Sequence, residues 1–288
     1  MKWTEISNDP ENKRFEVLSA ELNKNGFKNQ FVPTLLPNEF CKPEFFEVEE
    51  NCERFRDFLK KIKNEYSQIR VGGFFKEKLD LFSHEYPAEL IHIKTFDSMV
   101  KDGTRWWPRN QLLHAFVTLL NREIKQVDFL APILILGANP QSKTVILALI
   151  KLGFANFNIT DLDASKSRAL VQDLSRKFFS VHFEMTEIGY VTQLPSIYSM
   201  GINTLSGELD ETTKMAIVYF NFLPQGGFWI ETFPRATSVL ADEAKNFGFH
   251  VWMGVDLIAS ADVHWARSVL NCQLDSARLK ESYVNEIF

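Results

Sequence analysis

The sequence predicts an α/β fold in two parts, an N-terminal α/β domain followed by a doubly wound parallel-sheet domain, and three observations carry that prediction. The chain has 288 residues, more than one core usually holds, so two domains of roughly 100 to 150 residues are the natural division. Ala131 to Leu136 is a continuous apolar run, the kind of strand that a parallel sheet covers on both faces. From there to Thr160 the chain completes a strand, a helix and a second strand within about 30 residues.

The elements follow in order. Phe15 to Gly26 has helical spacing, with Phe15, Leu18 and Leu22 on one face and Gly26 as the stop. Phe27 to Leu36 is a short apolar run broken by Pro33, which reads as a strand. Asn51 to Tyr66 places Phe55, Phe58, Leu59 and Ile62 on one helical face, and Ile69-Arg70-Val71 follows as a brief strand ended by Gly72-Gly73. Gln111 to Ile124 is a further helix. After the strand at 131–136 come Gly137-Ala138-Asn139-Pro140, a helix from Ser142 to Leu152 stopped by Gly153, and a strand from Asn156 to Thr160 closed by Asp161-Leu162-Asp163. Later units read as a helix Ser165 to Lys177, strands Ser180 to Phe183, Tyr198 to Asn203 and Ala216 to Phe220, a helix Ser238 to Phe247, a strand Gly248 to Met253 and a C-terminal helix Asp262 to Cys272. The expected domains are 1–110, with C-terminal helices from 256–288 folding back on it, and 111–255.

Composition narrows the classes of function. A formal charge of -5, with no local run of Lys and Arg, argues against nucleic acid as a partner. Three cysteines, Cys41, Cys52 and Cys272, stand at spacings that suit neither a disulfide framework nor a zinc site. With an N-terminal stretch that lacks an apolar core and no run long enough to span a bilayer, a cytoplasmic protein without a membrane partner is expected. Phenylalanine occurs 26 times, without a fixed period. Substrate identity and oligomeric state leave no signal.

The chemistry-bearing residues cluster at strand ends. A dinucleotide's pyrophosphate is held by backbone N–H groups at a helix N-terminus, after a turn with little side-chain bulk. Gly137 supplies that turn, with Ala138 and Asn139 beside it. The remaining fingerprint glycines are replaced, and Pro140 removes one N–H. Asp161 and Asp163 stand where an acid accepts hydrogen bonds from ribose hydroxyls, an arrangement that favours NAD over NADP. An N-cap role for Asp163 or Ser165 is equally open. Lys76 is either one more solvated lysine, beside Glu77 and Lys78, or a proton donor to an oxygen whose charge changes during reaction. Trp106-Trp107-Pro108-Arg109 either packs at a domain hinge or lines a pocket in which Arg109 clamps an anion. His264 and Trp265 read as structural.

These segments together resemble the shikimate and quinate dehydrogenases, collinearly from Phe15 to about Leu270. Arg70-Val71-Gly72-Gly73-Phe74-Phe75-Lys76 looks like the family's N-V-T-x-P-x-K segment, with Lys76 at the catalytic lysine. Ile202-Asn203-Thr204-Leu205-Ser206-Gly207 resembles I-N-A-T-P-x-G, and Phe220-Asn221-Phe222 resembles the Y-N-P turn. Thr237-Ser238-Val239-Leu240 and Gly254-Val255-Asp256-Leu257-Ile258 echo T-P-L-L and G-x-x-M-L. The resemblance implies a Rossmann-type unit, hydride transfer between a nicotinamide cofactor and a small cyclic hydroxy acid, substrate in the cleft between domains, Lys76 as the catalytic residue, and cofactor contacts from Gly137, Ala138, Asn139, Asp161, Asn203 and Gly254.

The departures are as specific. The family's N-T-D-G aspartate has no counterpart, since Asn110 or Gln111 stands there, leaving Arg109, Asn110 and Gln111 as the substrate-side candidates. The S-x-S serines have no match near Arg14 to Ser19, the late glutamine falls on Ala261, and the arginine of N-R-T is absent at Asp161-Leu162-Asp163. Two functions are therefore carried forward: a divergent NAD-linked dehydrogenase with a changed substrate, and a non-catalytic relative that binds a nucleotide, a small ligand or a partner protein, with no cofactor as one outcome. An enzyme needs a new group to support Lys76, with Asp97 and Glu77 as candidates.

Overall fold

The computed structural model describes residues 1–123, 127–205, 209–235 and 237–288. The chain divides into two compact units, one formed by 1–112 with 261–287, the other by 113–260. Both divisions fall inside helices.

The first unit is built on β1 (Lys2–Ile6), α1 (Asn12–Lys24), β2 (Gln30–Phe31), α2 (Glu49–Glu65), β3 (Gln68–Val71), the short α3 (Leu79–Phe82), and the hairpin β4 (Ser98–Asp102) and β5 (Arg105–Arg109). Its sheet runs β2-β1-β3-β4-β5. The first three strands are parallel, and β4 and β5 are antiparallel additions. Five of the phenylalanines, Phe46, Phe55, Phe75, Phe82 and Phe96, form a chain of ring contacts in this unit, with centroids 5.0 to 6.3 Å apart. Mostly edge-on or tilted packing lets one residue type fill an irregular space.

The second unit contains β6 (Ile133–Leu136), α5 (Pro140–Leu152), β7 (Asn156–Thr160), α6 (Ala164–Lys177), β8 (His182–Met185), β9 (Met200–Asn203), α7 (Glu211–Ile217), β10 (Phe228–Glu231), α8 (Val239–Asn246) and β11 (His250–Trp252). All six strands are parallel, in the order β11-β10-β9-β6-β7-β8. Numbered within the unit, that is 6-5-4-1-2-3, the doubly wound order whose strand direction of winding reverses between its first and fourth strands. The four residues of β6 are fully buried, as a strand covered on both faces requires. Helix α4 (Gln111–Glu123) leads into this unit and α9 (Gly254–Leu270) leads out, before α10 (Ser276–Glu286). The predicted end of α4 at Ile124 lies outside the described residues.

Several elements differ from the sequence reading. Ala216 to Phe220 is not a strand: Asp210 caps α7 by accepting the Thr213 N–H, and the chain turns after Ile217. The strand belongs to Phe228–Glu231, so Phe220-Asn221-Phe222 precedes it, and the connection from β10 toward α8 begins Thr232-Phe233-Pro234. The 27–36 run yields only the two residues of β2. Helix α9 begins at Gly254 and absorbs both Gly254 to Ile258 and the segment expected to start at Asp262. Among the described residues, no helix is long and apolar enough to cross a membrane.

Candidate functional site

In the second unit the loops after β6, β7, β9 and β10 converge at the carboxyl ends of the strands. Gly137 follows β6 with φ +107, and a Cβ there would stand 2.3 Å from the Thr204 hydroxyl. Glycine is required twice, by conformation and by the close approach of the chain after β9. Asn139 then caps α5: its Oδ1 accepts the N–H groups of Gln141 and Ser142 at 2.9 and 3.1 Å, and the Ser142 hydroxyl accepts the Asn139 N–H at 2.9 Å. Pro140 sits at the first helical position, where no N–H is needed. Asn139 Nδ2 donates to Thr204 O at 2.6 Å, tying the cap to the end of β9.

Asp161 is buried at the end of β7. Its carboxylate accepts Ala138 N–H at 2.7 Å and Asp163 N–H at 2.9 Å, so the acid and the glycine turn are joined directly. Asp163 is the N-cap of α6, and the Ser165 hydroxyl and amide hold its carboxyl below the ordinary value. Asn203 ends β9, donates to Glu231 at 2.9 Å and accepts the Leu205 N–H at 3.0 Å. Ser206 and Gly207 of the same predicted motif lie outside the described residues. A recess of about 480 Å³ opens here, lined by Asn203, Lys214, Phe233, Arg235 and Ser238 among others.

Glu231 was not singled out from the sequence. It is 1% exposed and accepts from Trp229 Nε1 and Asn203 Nδ2 at 2.9 Å each, and from the Ser238 hydroxyl at 3.2 Å. Burial pushes its carboxyl above the ordinary value although all three donors oppose that. An acid closing the apolar run Phe228-Trp229-Ile230 was the available signal. Gly254 starts α9, and a Cβ there would stand 1.9 Å from Phe233 O, so backbone packing requires glycine at that position.

In the first unit, Lys76 lies half-buried in the single turn Gly73–Glu77 after β3, and its carbonyl accepts the Phe96 N–H at 3.0 Å. Asp97 is buried and committed to α4, accepting Gln111 N–H and Leu112 N–H at 2.9 Å each as well as the Ser98 hydroxyl. Glu77 is exposed. Asn110 is buried and donates to Thr95 O at 3.2 Å. Gln111 Oε1 pairs with His264 Nδ1 at 2.7 Å, an arrangement in which Nδ1 carries the proton. Arg109 is exposed at the end of β5, the edge strand that also carries Trp106 and Trp107.

Between β1, β3, α1, α9 and α10 lies a charged cluster that the sequence did not reveal. Arg14 reaches Asp262 through Nε and Nη2 at 2.9 and 3.0 Å and Glu11 through Nη1, and Arg70 pairs with Asp262 at 3.0 Å. Burial pushes the Glu11 carboxyl up, but the Arg14 guanidinium and the Lys76 ammonium more than offset this and hold it below its ordinary value. Among the described residues, no group of three or more His, Cys, Asp or Glu could hold a metal ion.

No family model matches the sequence, and no curated protein matches it. Solved structures do. Quinate dehydrogenase from Corynebacterium glutamicum in complex with NAD is 14% identical, with 99% of each chain covered and a TM-score of 0.80. Shikimate 5-dehydrogenase from Thermus thermophilus in complex with NADP(H) and shikimate is 14% identical over 100% of both chains, with a TM-score of 0.75. The ligand-free 5-ketofructose reductase of a Gluconobacter strain is 16% identical over 100% of this chain and 99% of that one, with a TM-score of 0.77. This chain has the fold of the shikimate and quinate dehydrogenases, in agreement with the resemblance read from its motifs.

Proposed function

We propose that the chain is a shikimate dehydrogenase-like oxidoreductase that transfers hydride between a nicotinamide cofactor, NAD in preference to NADP, and a small polyhydroxylated substrate that differs from shikimate. Asp161 carries the reading. Its carboxylate lies 2.7 Å from Ala138 N in the Gly137 turn, so a ribose-binding acid and a pyrophosphate turn sit together at the switch point of a doubly wound sheet. A carboxylate has about four acceptor positions, and Asp161 uses two, which leaves capacity for ribose hydroxyls. The same charge repels a 2'-phosphate. The recess beside Asn203 is large enough for the nicotinamide half of the cofactor. Fold neighbours named for shikimate, quinate and 5-ketofructose support a small hydroxylated substrate.

When bound, the cofactor supplies or accepts the hydride. Lys76 holds the proton that the substrate oxygen gains or loses. Asn110 or Gln111 takes the place of the aspartate in the N-T-D-G motif, and Gln111 pairs with His264. Arg109 and Asn110 are the remaining substrate-side candidates. The non-catalytic alternative is favoured by one observation: Asp97, the buried candidate to support Lys76, already spends three acceptor positions on Gln111 N–H, Leu112 N–H and the Ser98 hydroxyl.

Thermal-shift titration tests the proposal, because a ligand that binds only the folded state raises its stability by mass action. Millimolar NADH should raise the unfolding midpoint and NADPH should raise it less. Lys76→Ala should keep the NADH response and lower turnover of an accepted substrate by about 100-fold or more. No response to any nicotinamide nucleotide sinks the proposal.

A further inference from the structure

We infer that the Asn139 side chain is an internal competitor for the cofactor's pyrophosphate and that this residue sets how tightly the second unit holds a dinucleotide. The inference rests on the nicotinamide reading above.

A phosphate at a helix N-terminus is held by backbone N–H groups that have no partner within the helix. Each N–H is a single donor, so one already engaged offers nothing to a ligand until its bond is broken. Through the turn after β6 every such donor is engaged. Gly137 N–H goes to Thr160 O at 2.7 Å, Ala138 N–H to Asp161 at 2.7 Å and Asn139 N–H to the Ser142 hydroxyl at 2.9 Å. Pro140 has none, and Gln141 and Ser142 N–H both go to Asn139 Oδ1 at 2.9 and 3.1 Å. The amide oxygen therefore occupies the position that a phosphate oxygen takes in such turns.

The cap is also anchored. Asn139 Nδ2 donates to Thr204 O at 2.6 Å, which opposes rotation of the side chain out of the seat. The contrast with Asp161 is one of capacity: the ribose end keeps free acceptor positions, while the pyrophosphate seat keeps no free donor. Adenosine should thus be recognised normally and the pyrophosphate poorly.

Calorimetric titration of the full chain with NADH, ADP-ribose and adenosine tests this. Glycine serves nearly as well as asparagine at an N-cap, so Asn139→Gly keeps the helix and empties the seat. It should bind NADH and ADP-ribose about tenfold tighter or more than the parent chain, with adenosine unchanged. Asn139→Asp keeps the cap and adds a negative charge, so it should bind NADH and ADP-ribose more weakly than the parent. Equal NADH affinity in the parent and Asn139→Gly overturns the inference and leaves the cofactor reading intact. Failure of all three ligands to bind either chain overturns both.

Discussion

Replacing Asp262 with alanine should destabilise the first unit by about 3–5 kcal/mol, the usual cost of removing one partner from a buried ion pair. Asp262 is fully buried, and its two oxygens accept Arg14 in a bidentate geometry and the Tyr283 hydroxyl at 2.7 Å, with Arg70 Nη1 in ion-pair contact at 3.0 Å but without hydrogen-bond geometry. Arg70 depends most on this charge. Its Nε and Nη1 make no hydrogen bond, and its guanidinium lies over the rings of Phe15 and Trp265, 5.3 and 5.2 Å from their centroids. Without the carboxylate Arg70 loses its paired charge, Arg14 keeps only Glu11, and the α1, α9 and α10 junction loses its common anchor.

The measurement is the urea midpoint at constant m-value. A loss below about 1 kcal/mol would show that water or Glu11 compensates, and the cluster would then have no anchoring role. The pH dependence gives a second readout. Burial pushes the Asp262 carboxyl up, but Arg14 and Arg70 more than offset it and hold it below the ordinary 3.8. A depressed carboxyl contributes stability that is present above the unfolded value and lost as pH falls below about 4. Asp262→Asn should lack that acid limb.

The legible parts of the fold are those where local signals agree. From β6 through β7, a continuous apolar strand, a glycine turn, a capped helix and Gly153 at φ +103 all indicate one path, and the element bounds fall within two residues of the reading. The order of that sheet could be expected only from resemblance, since strand pairing is set by packing. In 216–220 the run Ala-Ile-Val-Tyr-Phe has strand composition, yet the cap at Asp210 starts a helix that carries Ile217 into the core. Tertiary burial outweighed propensity there. The β4–β5 hairpin did leave a mark: Asp102-Gly103 sits at its turn, with Gly103 at φ +60 opening a two-residue loop. The site was less legible. Gly137 and Asp161 could be named because the ends of the first two strands of a strand–helix–strand unit stand at a fixed spacing. The Arg14–Asp262 pair spans 248 positions, and no pattern in the sequence links them.

Glu5 provides the other large effect. It lies in β1 at 3% exposure, with Oε2 accepting the Glu11 N–H at 2.8 Å. Gly72 packs so closely that a Cβ there would stand 2.9 Å from Oε1. Burial first, and the neighbouring Glu11 carboxylate second, push the Glu5 carboxyl up to about 8, against smaller opposing effects of Arg14 and Arg70. In the unfolded chain the same group titrates near 4.3. Between those values folded Glu5 binds more protons than unfolded Glu5, so its contribution to stability falls as pH rises from about 4.5 to 8 and levels off above. The full difference is on the order of 3–5 kcal/mol. Glu5→Gln retains an acceptor for Glu11 N–H and has no proton to lose. Its thermal midpoint should match the parent chain near pH 5 and exceed it by several degrees near pH 9, because ionised Glu5 costs the parent a buried charge that the amide never carries. Parallel profiles for the two chains across that range would mean that Glu5 ionises without cost, with Arg14 and Arg70 supplying full compensation, and the buried cluster would then be balanced at every pH at which the protein folds.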